Sequence, residues 1–496
     1  MPQQAMQPSP STPLAPQAQQ GIFDIPLRIV GGNHFGRYNK ISDEQTWNMI
    51  ISDGYLVDYA GYKAITPPSP LTNNPTSIGR GIFSSTIQDI MIEVIGNGVF
   101  STDTHLVTTL VGNVTTSAGE VFIAENNAGQ IALSDGVNIY IYKPVGGSFV
   151  QAVIDFTPGF IAFQNTYFMT PAAGTAQWRI SAQNDGTSWP DDAQHVGQLQ
   201  TKPDTVQAIV PMPGKGNMTF VFGHTVCEQW TFTGAALFPW QRTSSFNIDY
   251  GCINPSSIAY QGNFIVWIGI SEEAGPVVMY TTGGDIKEVS TDGIDFKLGA
   301  LTAPEDCSGF LIKIDGHLIY QFTFKTDNLT FLLDFGGEEF FYASDENANY
   351  HIARKAVFFN NTYYFVSFND ANLYEISPRY TTYQYSDTNI QDIPRIRICP
   401  PVRLPTQRPL IFKSLGFTIE QGQQNTGNNM AVDLSVSRDG AETFSSYIRN
   451  PLNDTGNGIS RMVYYQLGRA NDFSAKLNFV GQNRFAVSDG IVTAYL

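Results

Sequence analysis

Charge is scarce in this 496-residue chain. Only 15% of its residues are Asp, Glu, Lys or Arg, against about 25% in ordinary soluble proteins. Basic residues are the rarer kind, 28 against 44 acidic, for a net charge of −16. A protein that grips duplex DNA needs a basic face to displace counterions, so the balance argues against that class. It does not argue against a protein that lets DNA slide past. Cysteine is nearly absent too. Cys227, Cys252, Cys307 and Cys399 form no CxxC and no zinc spacing with a histidine, which predicts four buried free thiols rather than a disulfide scaffold or a metal site. The six histidines are scattered singly. No apolar run reaches the roughly 18 residues of a membrane helix. The N-terminus has no basic n-region and no apolar h-region, so no signal peptide is expected. GxSxG, HExxH, Walker A and GxGxxG patterns are missing. Gly214-Lys215-Gly216 lacks the spaced first glycine of a phosphate loop and reads as a turn. Nothing in these patterns calls for a cofactor.

What is present is apolar and β-forming. At 42% hydrophobic residues the chain can bury a large core, yet it exceeds the roughly 250–300 residues at which single cores stop growing, so at least two modules are expected. Residues 1–20 contain no charge and are rich in Pro and Gln. They read as a flexible or extended arm that orders only against a partner. Residues 21–79 read as an N-terminal extension and connector. Within it, Ser42-Asp43-Glu44-Gln45 resembles a capping box, the alternative being a turn into a strand from Trp47 to Ile51. From 80 to 380 an apolar strand repeatedly meets a short polar turn and then a strand of aromatic and β-branched residues. The turns are Gly96-Asn97, Asp135-Gly136, Gln164-Asn165, Gly214 to Gly216, Gly262-Asn263, Asp315-Gly316 and Asn360-Asn361. Such residues accept the positive φ of a tight hairpin. About four strands per 40–50 residues is the size of a propeller blade. The fold expected is therefore all-β: a degenerate β-propeller-like body of six or seven blades over 80–380, the alternative being a set of β-sandwiches. A Pro-broken connector follows over 381–410, then a C-terminal β-sandwich or barrel module over 411–496. That tail changes sign: residues 395–496 hold 11 basic and 7 acidic residues. Opposite patches on one chain suit self-assembly.

Two segments resemble the Asp-box turn: Ser437 to Phe444, and Asn184 to Trp189. Their physical job is hairpin closure, the carboxylate accepting loop N–H bonds above a packed aromatic. Such turns occur in sialidases, so a propeller glycosidase acting on host surface sugar is one alternative function, and a stand-alone glycan-binding propeller another. A sialidase also needs several arginines on the sugar carboxylate. The repeat region offers Arg80, Arg179, Arg242, Arg354 and Arg379, and an Arg-Ile-Pro signature is missing. The reading is of a non-enzyme.

Several segments resemble the packaged-DNA-stabilisation proteins of short-tailed phages, also called tail hub, nozzle or head-completion proteins. Trp47 to Ile51 followed by Gly54-Tyr55-Leu56 and Gly61-Tyr62 is similar to the family's opening. Residues 205–242, with Phe222-Gly223, Glu228-Gln229-Trp230 and Thr233-Gly234-Ala235, are similar to its strand–turn–strand block. Tyr250-Gly251-Cys252 and the strand from Phe264 to Ile270 fit as well. At the C-terminus, Ser437 to Phe444 and Tyr465 to Ala470 resemble a pair found in phage tail proteins. The resemblance implies a virion tail component assembled in the host cytoplasm. It implies a homo-oligomer, usually a hexameric ring, below portal and adaptor proteins, which extends and closes the DNA channel and holds the tail needle and fibres or spikes. DNA would pass without specific binding. In that ring Arg395, Arg397, Arg403 and Arg408 are the candidates for pairing with acidic loops of a neighbouring subunit.

Overall fold

The computed structural model describes residues 21–35, 43–65, 77–212, 214–403, 408–421, 430–453 and 460–496. The Pro/Gln-rich arm, Ser42 of the capping-box reading and nearly all of the proline-rich stretch at 66–77 lie outside them. The body is a seven-bladed propeller. Its blades begin with the strands Gly79–Ser85, Phe122–Glu125, Ala162–Gln164, Val206–Met212, Ala259–Gln261, Ser308–Ile314 and Ala353–Phe359, and in each the following strands add antiparallel and in order. These first strands lie against those of the next blade around most of the ring and line its axis.

Turn chemistry explains the hairpins. Asp315 and Gly316 sit at φ 47° and 91°, and Asn360 and Asn361 at 47° and 65°. Two successive positive φ values define the turn whose twist matches paired strands. The uneven spacing of the early hairpins also has a cause. The turns at Gly96 and Asp135 join second and third strands of their blades, whereas the later five join first and second. Blades then pack face to face through alternate side chains. Ile92 and Val94 meet Ile131 and Leu133 of blade 2, while Met91, on the opposite face, meets Val366 and Tyr364 of blade 7. Trp178 of blade 3 stands edge-on to Trp230 and Trp240 of blade 4, with ring centroids 5.6 and 5.8 Å apart. Cys227, Cys252, Cys307 and Cys399 are free thiols and buried.

The segment read as an N-terminal extension is woven into both modules. Gly61–Ile65 pairs with Leu373–Ser377 and supplies the fourth strand of blade 7, closing the ring with chain from the other end of the body. Tyr62 is fully buried there, stacked on Tyr383 at 4.3 Å and edge-on to Tyr374 at 5.3 Å. Ile22–Leu27, Met49–Ser52 and Tyr55–Asp58 join one sheet of a C-terminal sandwich, with Leu410–Ile419, Ser460–Ala470 and Ala486–Tyr495. The facing sheet holds Arg395–Ile398, Ser474–Val480, Ala431–Ser437 and Ile448–Pro451. Leu27, Leu415, Phe417, Val432, Leu434, Leu477 and Val492 fill the space between the sheets. Gln45–Trp47 bridges the modules. It pairs with Arg395–Ile398 on one side, and Trp47 is opposite Tyr342 of blade 6 on the other. Sandwich and propeller thus share one nine-stranded sheet.

Candidate functional site: the module seam and the axial mouth

The shared sheet decides the fate of two candidate arginines. Arg395–Ile398 reads Arg-Ile-Arg-Ile, and strand alternation turns both guanidinium groups to one side. That side is the seam between the modules, and both arginines are fully buried. Arg395 Nε lies 2.9 Å from Asp58 Oδ1, and its other nitrogens donate to the carbonyls of Gly481 and Thr381. Its guanidinium lies over the Phe485 ring. Arg397 Nη2 donates to Glu44 Oε2 at 2.7 Å, and Nη1 to the Gly32 carbonyl and the Thr46 hydroxyl. Arg28 grips the same carboxylate at 2.8 and 2.9 Å. The expectation that Arg395 and Arg397 reach a neighbouring subunit is therefore corrected: both are consumed inside the chain, fastening the sandwich to the propeller. Burial pushes the Asp58 carboxyl up to about 6 despite the opposing Arg395 charge. Arg403 lies apart from them and is engaged with Asp472. Arg408 is exposed, whereas Arg403 is half-buried. Sequence reasoning missed Glu44 and Asp58, the acidic halves of these pairs. The available signal was charge alternating with isoleucine in a strand covered on both faces.

At the propeller axis the first strands of blades 1, 5, 6 and 7 line a pit of about 460 Å³. Its wall is aromatic and aliphatic, with Phe83, Tyr260, Leu311, Val357 and Phe358. Lys355 is its cation, and that charge is already matched. Nζ lies 3.0 Å from Glu120 and donates to the carbonyls of Ser256 and Gly309 at 2.7 and 2.8 Å. Such a pit holds a few side chains. Duplex DNA, whose major groove alone is about 12 Å wide, has no path through it. Acidic charge facing DNA cannot be a property of a single chain's axis.

Three of the arginines weighed for sugar binding are engaged within the fold. Arg80 is fully buried and donates to the carbonyls of Gly96, Thr116, Ala118 and Gly119, tying down the loop after blade 1. Arg179 is engaged with Asp191 in blade 3, and Arg354 donates to the Gly79 carbonyl. Both Asp-box segments close loops. Asp439 accepts from the Ser437 hydroxyl and from the N–H and hydroxyl of Thr443, which hold its carboxyl below the usual range. Asp185 accepts from the N–H and hydroxyl of Thr187, while the buried Trp189 donates to the Gly186 carbonyl. Among the described residues no group of His, Cys, Asp or Glu is arranged to hold a metal ion, and no helix is long and apolar enough to cross a membrane.

Comparison with known families decides the relationship. The family described as bacteriophage P22 Gp10, beta-propeller, matches residues 43–381. The chain belongs to that family. The match takes in all seven blades and the ring-closing strand, and ends before the C-terminal strands of the sandwich. Membership makes this a structural phage protein of the packaged-DNA-stabilisation class, associated with the virion. Comparison with curated proteins gives no match. Among solved structures the chain is similar to a catalytically inactive virginiamycin B lyase from Staphylococcus aureus, at 12% identity over 64% of this chain and 99% of that one, with a TM-score of 0.44. It is similar also to the Pan2 WD40 domain of Neurospora crassa, at 10% identity over 67% and 96%, with a TM-score of 0.41. Neither likeness carries an argument about what this chain does.

Proposed function

We propose that the chain is the tail hub, or nozzle, of a short phage tail: a ring component, hexameric, that sits below portal and adaptor proteins, extends and closes the DNA channel, and carries the needle and the fibres or spikes. The observation that supports this most is the family match over the whole propeller. The architecture agrees with a mechanical role. A ring closed by the strand Gly61–Ile65 and joined to a sandwich through Gln45–Trp47 suits a stiff body. Because the axis of one propeller is a small pit, the DNA channel belongs between copies of the chain. A net charge of −16 then lets phosphate pass without adhering. The test is to mix the purified chain with portal–adaptor assemblies and image the particles. Rings seated on the adaptor, with a central opening wide enough for duplex DNA, are the expected result. A chain that ignores the adaptor, or that cleaves host glycans as a monomer, overturns the reading.

A further inference from the structure

Three strand ends meet where a hairpin of the sandwich reaches blade 6. Ser52 closes the strand Met49–Ser52, and the chain turns at once through Asp53 and Gly54, at φ 50° and 79°. His317 opens the strand that follows the Asp315-Gly316 turn, and Asp334 ends the next strand of the same blade. Their side chains form a line. His317 Nδ1 lies 2.7 Å from Asp334 Oδ2, and His317 Nε2 lies 3.1 Å from Ser52 Oγ. The role of each group follows from what it can donate or accept. Asp334 is buried, and its other oxygen accepts the Gly336 N–H at 2.9 Å. An ionised carboxylate only accepts, so the imidazole keeps its hydrogen on Nδ1. That leaves the Nε2 lone pair for the hydroxyl hydrogen of Ser52. A hydroxyl beside a base that a third group orients is the arrangement that activates a nucleophile, and it is recognised by geometry and roles rather than by chain order. No local motif announces it here, because Ser52 and His317 lie 265 residues apart.

A reactant has a place to sit. Ser52 lines a cavity of about 370 Å³ between the modules. Tyr55, Val57 and Phe485 give it an apolar wall, which suits a short acyl chain. Two of its acids are answered, Asp58 by Arg395 and Glu420 by Arg484. Asp53 and Asp315 also line it, and carboxylates at the wall disfavour an anionic reactant. The His317 side chain is 19% exposed, so water can reach it. The N–H of Asp53 follows Ser52 directly, the position from which a backbone donor meets the oxyanion in other serine hydrolases. That N–H makes no hydrogen bond among the described residues.

We propose that Ser52, His317 and Asp334 form a hydrolytic triad that cleaves short, uncharged carboxylic esters, an activity independent of the ring role. Ser52 Oγ attacks the acyl carbon while His317 Nε2 takes the hydroxyl proton. The ester C–O bond breaks, and the alcohol leaves with that proton. The acyl group is then held on Ser52. Water attacks the same carbon as His317 takes one of its protons. The bond to Oγ breaks, Oγ receives that proton, and the carboxylic acid is released. One ester and one water give one acid and one alcohol, with no oxidant and no cofactor. Ser52 and His317 are the catalytic residues. Asp334 is a positioning residue that fixes the ring and its tautomer.

A fluorophosphonate probe on the full-length chain tests this. The probe bonds its phosphorus to the oxygen of an activated serine and expels fluoride. The expected result is a single label, mapped to Ser52 by mass spectrometry, together with hydrolysis of p-nitrophenyl acetate that Ser52→Ala removes. His317→Gln should slow the labelling by about a hundredfold or more. Asp334→Asn should lower kcat for the acetate by about the same factor and leave KM within about twofold, because it disturbs the proton transfer and not the cavity. A folded parent chain that takes no label at Ser52 overturns the proposal without recourse to any variant. Labelling of Ser52 that is indifferent to His317→Gln, in a variant that melts as the parent does, overturns it as well. In either case the line of side chains only fastens the hairpin to the blade.

Discussion

Glu93 is the most conspicuous single residue in the propeller. It lies mid-strand in blade 1, on the same face as Met91, and so points into the joint with blade 7, where the ring closes. The residue is 1% exposed and neither carboxyl oxygen has a hydrogen-bond partner of good geometry among the described residues. Burial is the main force on it and pushes its pKa from about 4.5 up to about 7. The nearby Thr102 hydroxyl, shared with Thr108, pulls weakly the other way. The unfolded chain loses this proton near 4.5 and the folded chain near 7. Between those values stability falls as pH rises, and above about 7 the full cost of a buried anion persists. At about 1.4 kcal/mol per pKa unit the cost is of the order of 3 kcal/mol. Glu93→Gln is therefore expected to match the parent at pH 4.5 and to be more stable by roughly 2–3 kcal/mol at pH 8. Urea unfolding at the two pH values measures this. A gain of equal size at both would mean that ionisation of Glu93 costs the fold nothing.

Among the elements, the strand Gly61–Ile65 has the widest consequences, since it carries chain that precedes blade 1 into the sheet of blade 7. Gly61 shows how tightly it is held. A Cβ built there would come within 2.5 Å of the backbone carbonyls of Tyr380 and Thr382, atoms that cannot step aside as a side chain can. Gly61→Ala should cost roughly 1–3 kcal/mol through overpacking. The damage should be local, with amides of Leu373–Ser377 exchanging faster while those of blades 3 and 4 keep their protection. Uniform loss of protection would place the weakness elsewhere. This strand also marks the limit of what the sequence reveals. Hairpins such as Asp315-Gly316 and Asn360-Asn361 are legible because a positive φ is a local demand answered by the residues themselves. Counting such hairpins leads to six or seven blades, and the structure makes the number seven. Pairing of Gly61–Ile65 with Leu373–Ser377 has no local signature, for its partner lies some three hundred residues away. Trp47 and Tyr62 were visible as part of a family opening, but not as the bridge and the clasp that the fold makes of them.

At the scale of the whole molecule, charge counts mislead unless pairing is known. The basic excess of residues 395–496 suggests a positive surface. Yet Arg395 and Arg397 answer Asp58 and Glu44 in the seam, and Arg403, Arg449 and Arg484 answer Asp472, Asp433 and Glu420. These arginines therefore divide by consequence. Removing one partner of a buried pair leaves an unmatched charge, so Arg395→Ala is expected to destabilise the chain by roughly 3–5 kcal/mol. Calorimetry should show a lower melting temperature, and loss of assembly in that variant would report only failed folding. Arg408 is exposed and tests assembly itself. Arg408→Glu should leave stability within about 0.5 kcal/mol, as surface changes do. If Arg408 meets an acidic loop of a neighbour, the reversed charge sets like against like, and rings on portal–adaptor assemblies should become scarcer. Exposed charges further apart than about 10 Å at 0.1 M salt are screened, so that defect should shrink as salt is raised. Unchanged ring yield at low salt, with folding intact, would remove Arg408 from the subunit contact and leave it a solvated residue at the entrance to the sandwich.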